Sequence, residues 1–280
     1  MTHNEKRTDW WKEGFAALIS GIFYGASNSI VGSPLDVIKT KMQVLPYLKE
    51  KNSFQVFKYI FQTYGIKGYF KGLTGPLIGS SIFRAVQFAT FEAFYTKAEK
   101  IELLKKKISY TFGLEYRVIL GGIISGSCRS IIENPFELTK VKRQTNQTWR
   151  VNDLYVGYKA NLFKCTGLMT VYFIIIDFFR RNTNAFNSKF KLFLVNGGAA
   201  SIGFVVIWPI EIVKNKVQSL NIKKYSIYKM IKERIKSDGY IKSMYRGLGP
   251  GIGSVFLRNG AAMIVMQYTQ HYLTILGFRK

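Results

Sequence analysis

The chain has 280 residues, with 41 Lys+Arg against 16 Asp+Glu for a formal net charge of +25, and it is 48% hydrophobic and 15% aromatic. It is too apolar for a disordered basic tail and too basic for an ordinary cytosolic enzyme, which leaves nucleic acid, an anionic lipid surface or small anionic solutes as partners. Cys128 and Cys165 lie in apolar stretches and His3 and His271 near the chain ends, so a disulfide framework, a metal centre and a cofactor are all unexpected.

In chain order, the first thirteen residues mix charges with Trp10 and Trp11 and do not read as a cleaved signal. Gly14 to Leu35 contains no acidic or basic residue, and at about 1.5 Å per helical residue it reaches roughly 30 Å, the thickness of a hydrocarbon core. Leu192 to Ile210 is a second such stretch. Four further candidate spans carry an internal cation: Arg84 in 73–94, Arg129 in 117–134, Lys164 in 158–179 and Arg258 in 248–273. A charge facing lipid costs a few kcal/mol, so such residues face a protein interior or a water-filled cavity. Six spans around a wet centre also account for a mean hydropathy of only +0.03. A soluble protein with buried helices is the alternative that composition alone leaves open.

Internal periodicity argues against that alternative. Pro34, Pro135 and Pro209 each begin one pattern, with an acid at +2 (Asp36, Glu137, Glu211), lysine at +5 (Lys39, Lys140, Lys214) and glutamine at +9. Each motif stands at the far end of a span. A proline inside a helix frees the carbonyl four residues earlier, here Ile30, Ile131 and Val205, so a kink is expected in each odd-numbered span. Acid and lysine, three apart, share a helical face; they form either local exposed ion pairs or charges exchanged between three converging helices.

Threefold Pro-x-acid-x-x-base in a chain of this length resembles the mitochondrial carrier family. The resemblance implies an all-α membrane protein: six transmembrane helices in a pseudo-threefold bundle, short matrix-side helices, and alternating access across the mitochondrial inner membrane. The repeats would be 1–110, 111–187 and 188–280, forming one membrane domain. On the family's pattern the matrix gate pairs Asp36 with Lys140, Glu137 with Lys214, and Glu211 with Lys39. The family's glutamine brace is not expected, since Lys41, Lys142 and Lys216 stand in its place.

Within each repeat an aromatic-x-glycine turn ending at Gly72, Gly157 or Gly247 precedes an even-numbered span. In the family this turn opens a helix that holds cardiolipin phosphate; as a bare pattern it is a tight turn needing glycine. Small residues at Gly21 and Gly25, Gly122 and Gly126, and Asn196 and Ala200 would let neighbouring helices approach closely. The second repeat is short: Gln144 to Tyr155 is 11 residues, against 26 from Gln43 to Tyr69 and 27 from Gln218 to Tyr245. Its matrix helix should be largely missing, while repeats one and three supply theirs around Phe54–Tyr64 and Tyr225–Ser237.

The family's cytoplasmic gate falls on Glu92, Asp177 with Arg180, and Gln267. With at most one or two ionic pairs available there, the sequence predicts a weak outer gate and a cytoplasm-open shape. Family substrate contacts map to Gly79, Ser80, Lys164, Cys165, Ser254 and Val255, with Arg84, Gln87, Arg258 and Asn259 a turn later and Arg129 on the facing stripe of the third span. Four cations with almost no carboxylate at that depth favour an anionic solute. The expected function is secondary transport of a small anionic metabolite, with inner-membrane lipids as partners. A carrier-derived accessory subunit of a larger inner-membrane complex is the alternative, motivated by the shortened repeat and worn gate. Neither an enzyme nor a nucleic-acid binder is expected: no nucleophile, base and orienter stand together, and lysines cluster at span ends.

Overall fold

The computed structural model describes residues 9–44, 53–70, 73–108, 113–144, 148, 150–220, 222, 226–238, 245 and 248–278. In chain order the α-helices are α1 (Trp10–Val44), α2 (Ser53–Tyr64), α3 (Thr74–Ala98), α4 (Glu102–Lys105), α5 (Tyr116–Gln144), α6 (Tyr158–Asn182), α7 (Lys189–Leu220), α8 (Ile227–Asp238) and α9 (Leu248–Ile275). Among the described residues there is no strand, only an isolated bridge between Lys107 and Glu115. Helices α1, α5 and α7 run on through Pro34, Pro135 and Pro209.

Helices α1, α3, α5, α6, α7 and α9 form a ring in which each packs against the next, α9 closing back on α1. By length and composition, three of the described helices can cross a membrane: Trp10–Leu35, Tyr158–Asn182 and Lys189–Gln218. The sequence predicted six spans; α5 is the clearest departure, because Arg117, Arg129 and Glu133 interrupt its apolar part.

Close backbone approach sets the ring's spacing. A Cβ added at Gly25 would stand 2.4 Å from the Ser80 carbonyl oxygen, and one at Gly126 would stand 2.5 Å from Thr166 Cα. Gly21 and Gly122 meet the backbones of Ala85 and Thr170 in the same way, so the α1–α3 and α5–α6 pairs touch main chain to main chain. On α7, Asn196 replaces glycine and donates instead to the Asn259 carbonyl of α9. Hydroxyls are satisfied locally, with Ser20, Thr90 and Thr166 each donating to the carbonyl four residues back.

Around 54–64 and 227–237 stand α2 and α8, whereas the stretch between α5 and α6 contributes, among its described residues, only the 3-10 turn Val151–Asp153. Val56 and Ile60 of α2 pack on Ile38 and Tyr69. Ile227, Met230 and Ile231 of α8 pack on Leu138, Val156, Val213 and Val217.

Apolar side chains narrow the ring from its centre toward the end away from the prolines. Its core draws Ala17 and Tyr24 from α1, Phe88 and Phe91 from α3, Val118 from α5, Phe173 and Ile176 from α6, Leu192 from α7, and Met263 and Met266 from α9. Phe91 and Phe173 stack with ring centroids 3.6 Å apart, and Phe88 meets both Tyr24 and Phe173 edge-on. Aromatic rings and thioethers thus narrow this end where the sequence reading counted only ionic pairs.

Candidate functional site

Polar residues gather at the centre of the ring and at its proline end. In the central layer, Tyr24 of α1 donates to Asn259 Oδ1 of α9 at 2.8 Å, and Asn28 Nδ2 reaches the same oxygen at 3.3 Å. Arg84 Nη2 of α3 joins it at 3.2 Å, while Asn196 of α7 accepts a short hydrogen bond from Tyr172 of α6. Five helices therefore share one amide-centred network, and Asn259, 4% exposed, is its hub.

Arg84 donates from Nη1 to Gln87 Oε1 at 3.1 Å and lies over the Tyr24 ring at 5.3 Å. Its Nε is buried with no hydrogen-bond partner among the described residues. Arg129 donates to the same Gln87 oxygen at 2.8 Å, so one neutral amide lies between two guanidinium groups.

Below this layer stands a carboxylate that the charge argument passed over. Glu133, 3% exposed, accepts from Arg129 Nε, from Lys164 Nζ at 2.6 Å and from Cys165 Sγ at 3.5 Å. The expectation of almost no mid-depth carboxylate is therefore corrected: Arg129 and Lys164 are both ion-paired to Glu133. The signal was legible, since Arg129 and Glu133 are four apart and share a helical face.

The network continues toward the prolines. Lys164 Nζ is 3.9 Å from Glu211 Oε2, and Lys214 Nζ bridges Glu211 Oε1 at 3.2 Å and Glu137 Oε2 at 2.8 Å. Charges alternate from Arg129 through Glu133, Lys164, Glu211 and Lys214 to Glu137, linking α5, α6 and α7. Lys214 is fully buried, so its two carboxylates are what make its charge tolerable there. The side chains of Asp36, Lys39 and Lys140 lie outside the described residues, as do Gly72 and Gly247.

Other predicted positions have local roles. Gly157, at φ 78°, is the left-handed residue that opens α6. Ser80 donates to the Gly25 carbonyl at 2.8 Å and shares a 2.5 Å hydrogen bond with Ser29, so its hydroxyl serves the α1–α3 seam. Gly79 faces the Phe136 ring, from which an added Cβ would be 3.2 Å away. On α9, Arg258 donates to Ser254, from Nη2 to Oγ at 2.5 Å and from Nε to the carbonyl at 3.2 Å. Cys165 is 1% exposed and points at Glu133.

At the opposite end, a cleft is lined by Phe91, Glu92, Tyr95, Asp177, Arg180 and Gln270. Of the two adjacent arginines, Arg181 pairs with Asp177 four residues back, while Arg180, the base of the gate pattern, stacks over Phe186 at 5.4 Å. Both spacings put a base on the acid's face, and the Phe186 ring engages Arg180. Gln267 donates to the Phe186 carbonyl at 3.1 Å. The sequence placed Gln87 and Asn259 among the contacts of the later turn and Asn196 at a helix-packing position; that they join one network did not show in it, because they carry no charge and most of their partners lie on other helices.

Comparison with known proteins agrees with this architecture. The family model for "Mitochondrial carrier protein" matches residues 11–100 and 187–276. The chain is 26% identical to the mitochondrial 2-oxodicarboxylate carrier of Pongo abelii, over 94% of this chain and 95% of that protein. It is 25% identical to a mitochondrial arginine transporter of Arabidopsis thaliana over 90% and 91%, and 23% identical to a mitochondrial magnesium exporter of Drosophila melanogaster over 92% and 94%. With well over half its length matched and a closed ring of long helices carrying three proline motifs, the chain belongs to the mitochondrial carrier family and resides in the mitochondrial inner membrane.

Proposed function

We propose that this protein is a secondary transporter that moves a small anionic metabolite across the inner membrane by alternating access. The six long helices are its spans, arranged as three repeats over 1–110, 111–187 and 188–280, with the proline end facing the matrix. The lysine–carboxylate contacts at that end act as the matrix gate, to which Asp36, Lys39 and Lys140 add the remaining members. Glu92, Asp177, Arg180 and Gln267 belong to the cytoplasmic gate, whose closure rests chiefly on the ring stack. Gly157, with Gly72 and Gly247, is the proposed contact for cardiolipin.

The observation that carries the anionic reading is Arg84. Its guanidinium sits in the central layer bonded only to amide oxygens, with Nε buried and unspent. A buried unsatisfied donor costs about 1–3 kcal/mol, which an arriving carboxylate or phosphate would recover. Arg129, Lys164 and Arg258 add cations against Glu133 and, 3.9 Å from Lys164, Glu211, so among the described residues the centre stays net positive. Because the relatives include carriers named for a 2-oxodicarboxylate, for arginine and for magnesium, the decisive experiment offers both signs of charge. Purified protein in liposomes is expected to exchange labelled 2-oxoglutarate or phosphate, and movement of arginine or Mg²⁺ alone would refute the reading.

The accessory-subunit reading rests on one observation, the three-residue turn Val151–Asp153 where repeats one and three have twelve-residue helices. Migration in a large complex on native electrophoresis of mildly solubilised mitochondria, together with no exchange activity, would favour it.

A further inference from the structure

Building on the anion-transport reading, we infer that Glu133 is a built-in stand-in for the solute's carboxylate, displaced on loading, so that each anion bound brings one proton onto Glu133. The case is geometric. Three donors from two helices converge on this one carboxylate: Lys164 Nζ at 2.6 Å on Oε1, and Arg129 Nε with Cys165 Sγ on Oε2. A guanidinium, an ammonium and a thiol clustered in the bundle centre are what a carboxylate solute needs for recognition, and in the unloaded protein an internal carboxylate already occupies them. The Glu133 side chain is 4% exposed, so water has almost no access to it.

The cations around Glu133 are few, and apart from Arg84 Nε each is already engaged. From α3 the facing groups are Arg84 and Gln87, and the Gln87 carbonyl oxygen is already shared by Arg84 and Arg129. From α6 they are Lys164, Cys165 and Asn161, whose Oδ1 takes the Cys165 thiol at 3.8 Å. From α7 they are Glu211, 3.9 Å from Lys164, and Lys214, which is held by Glu211 and Glu137. On α5 itself they are Arg129 and Glu137. When a solute takes Lys164 and Arg129 together with Arg84, an ionised Glu133 is left buried with neutral donors such as the Cys165 thiol and no cation to offset its charge, whereas its protonated form is neutral and can itself donate.

The step balances simply. A proton from the water on the side of entry bonds to a Glu133 oxygen as the Lys164 and Arg129 contacts pass to the solute. On release at the far side the proton leaves, and Glu133 again takes the two cations. Anion and proton therefore cross together, and the charge moved is that of the anion reduced by one. Glu133 is thus a positioning and coupling residue of the transport site.

The test counts protons on the full-length protein in mild detergent. Titration calorimetry with 2-oxoglutarate, fully ionised near pH 7.5, is run in two buffers of different ionisation enthalpy. The expected result is uptake of about one proton per anion bound, with affinity falling about tenfold per pH unit on the alkaline side. In Glu133→Gln, proton uptake falls to about zero and the pH dependence flattens while binding persists, which loss of a merely structural contact would not produce. Binding to the unmodified protein with no proton uptake overturns this inference and leaves anion transport standing. Failure of 2-oxoglutarate, phosphate and malonate alike to bind overturns both. Because the unmodified protein alone decides the count, the conclusion does not depend on the variant folding.

Discussion

Lys214→Met tests the ionic contacts at the proline end. Lys214 Nζ, fully buried, lies 2.8 Å from Glu137 and 3.2 Å from Glu211, whose side chains are 23% and 21% exposed. Methionine keeps the length and removes the charge, leaving two carboxylates on neighbouring helices facing each other. Uncompensating a buried pair costs about 3–5 kcal/mol; because both carboxylates keep some water and Lys164 is 3.9 Å from Glu211, the lower end, about 3 kcal/mol, applies. At about 2 °C or more per kcal/mol for a chain of this size, Tm should drop by about 6 °C or more. The assay is thermal unfolding in mild detergent, followed by reaction of a fluorogenic maleimide with Cys165, which is 1% exposed, on a Cys128→Ser background. Adding Glu137→Gln removes one of the opposed carboxylates and should restore about half of the loss, a coupling read from the double-mutant cycle. A Lys214→Met protein melting within about 1 °C of its parent would refute the assignment of Lys214 as a charge bridge.

Other parts of the molecule give separate tests. Arg84→Gln keeps hydrogen-bonding capacity but not charge, and should cut the rate of anion exchange in liposomes about tenfold or more while changing Tm little. Gly126→Ala, with a Cβ 2.5 Å from Thr166 Cα, should destabilise by about 2 kcal/mol or more, whereas Gly198→Ala, with no atom of another residue within 4 Å, should be neutral or slightly stabilising; melting curves compare the two. Phe173→Ala removes one partner of the 3.6 Å stack, costs about 3–5 kcal/mol, and should let small water-soluble thiol reagents reach Cys165 from the end away from the prolines in reconstituted vesicles.

Local patterns in the chain carried much of this architecture. The three prolines and the glycine pairs mark where α1, α5 and α7 turn polar and where helices touch, and both signals depend only on spacing along one helix. The short link between Gln144 and Tyr155 likewise announced the reduction to Val151–Asp153. What escaped depended on pairs brought together by the ring. Lys164 reads as a free cation until Glu133, 31 positions earlier, meets it across the α5–α6 interface. Phe91 and Phe173 are ordinary apolar residues in sequence, and only their stacking makes them a seal. Arg180 and Arg181 are adjacent and chemically alike, so spacing could not say that Asp177 takes the second while Phe186 holds the first.

The two ends of the bundle are held by different chemistry, and temperature acts on them in opposite senses. Apolar contact among rings and methionines loses strength on cooling, because its driving force near ambient conditions is entropic. Contacts between buried charges gain on warming, because removing ions from water becomes less unfavourable as their hydration weakens. Cold therefore weakens the packing of Phe91, Phe173 and Met266, while warmth strengthens the ionic contacts around Lys214, so the balance of cohesion between the two ends of the bundle shifts with the temperature at which its cell lives.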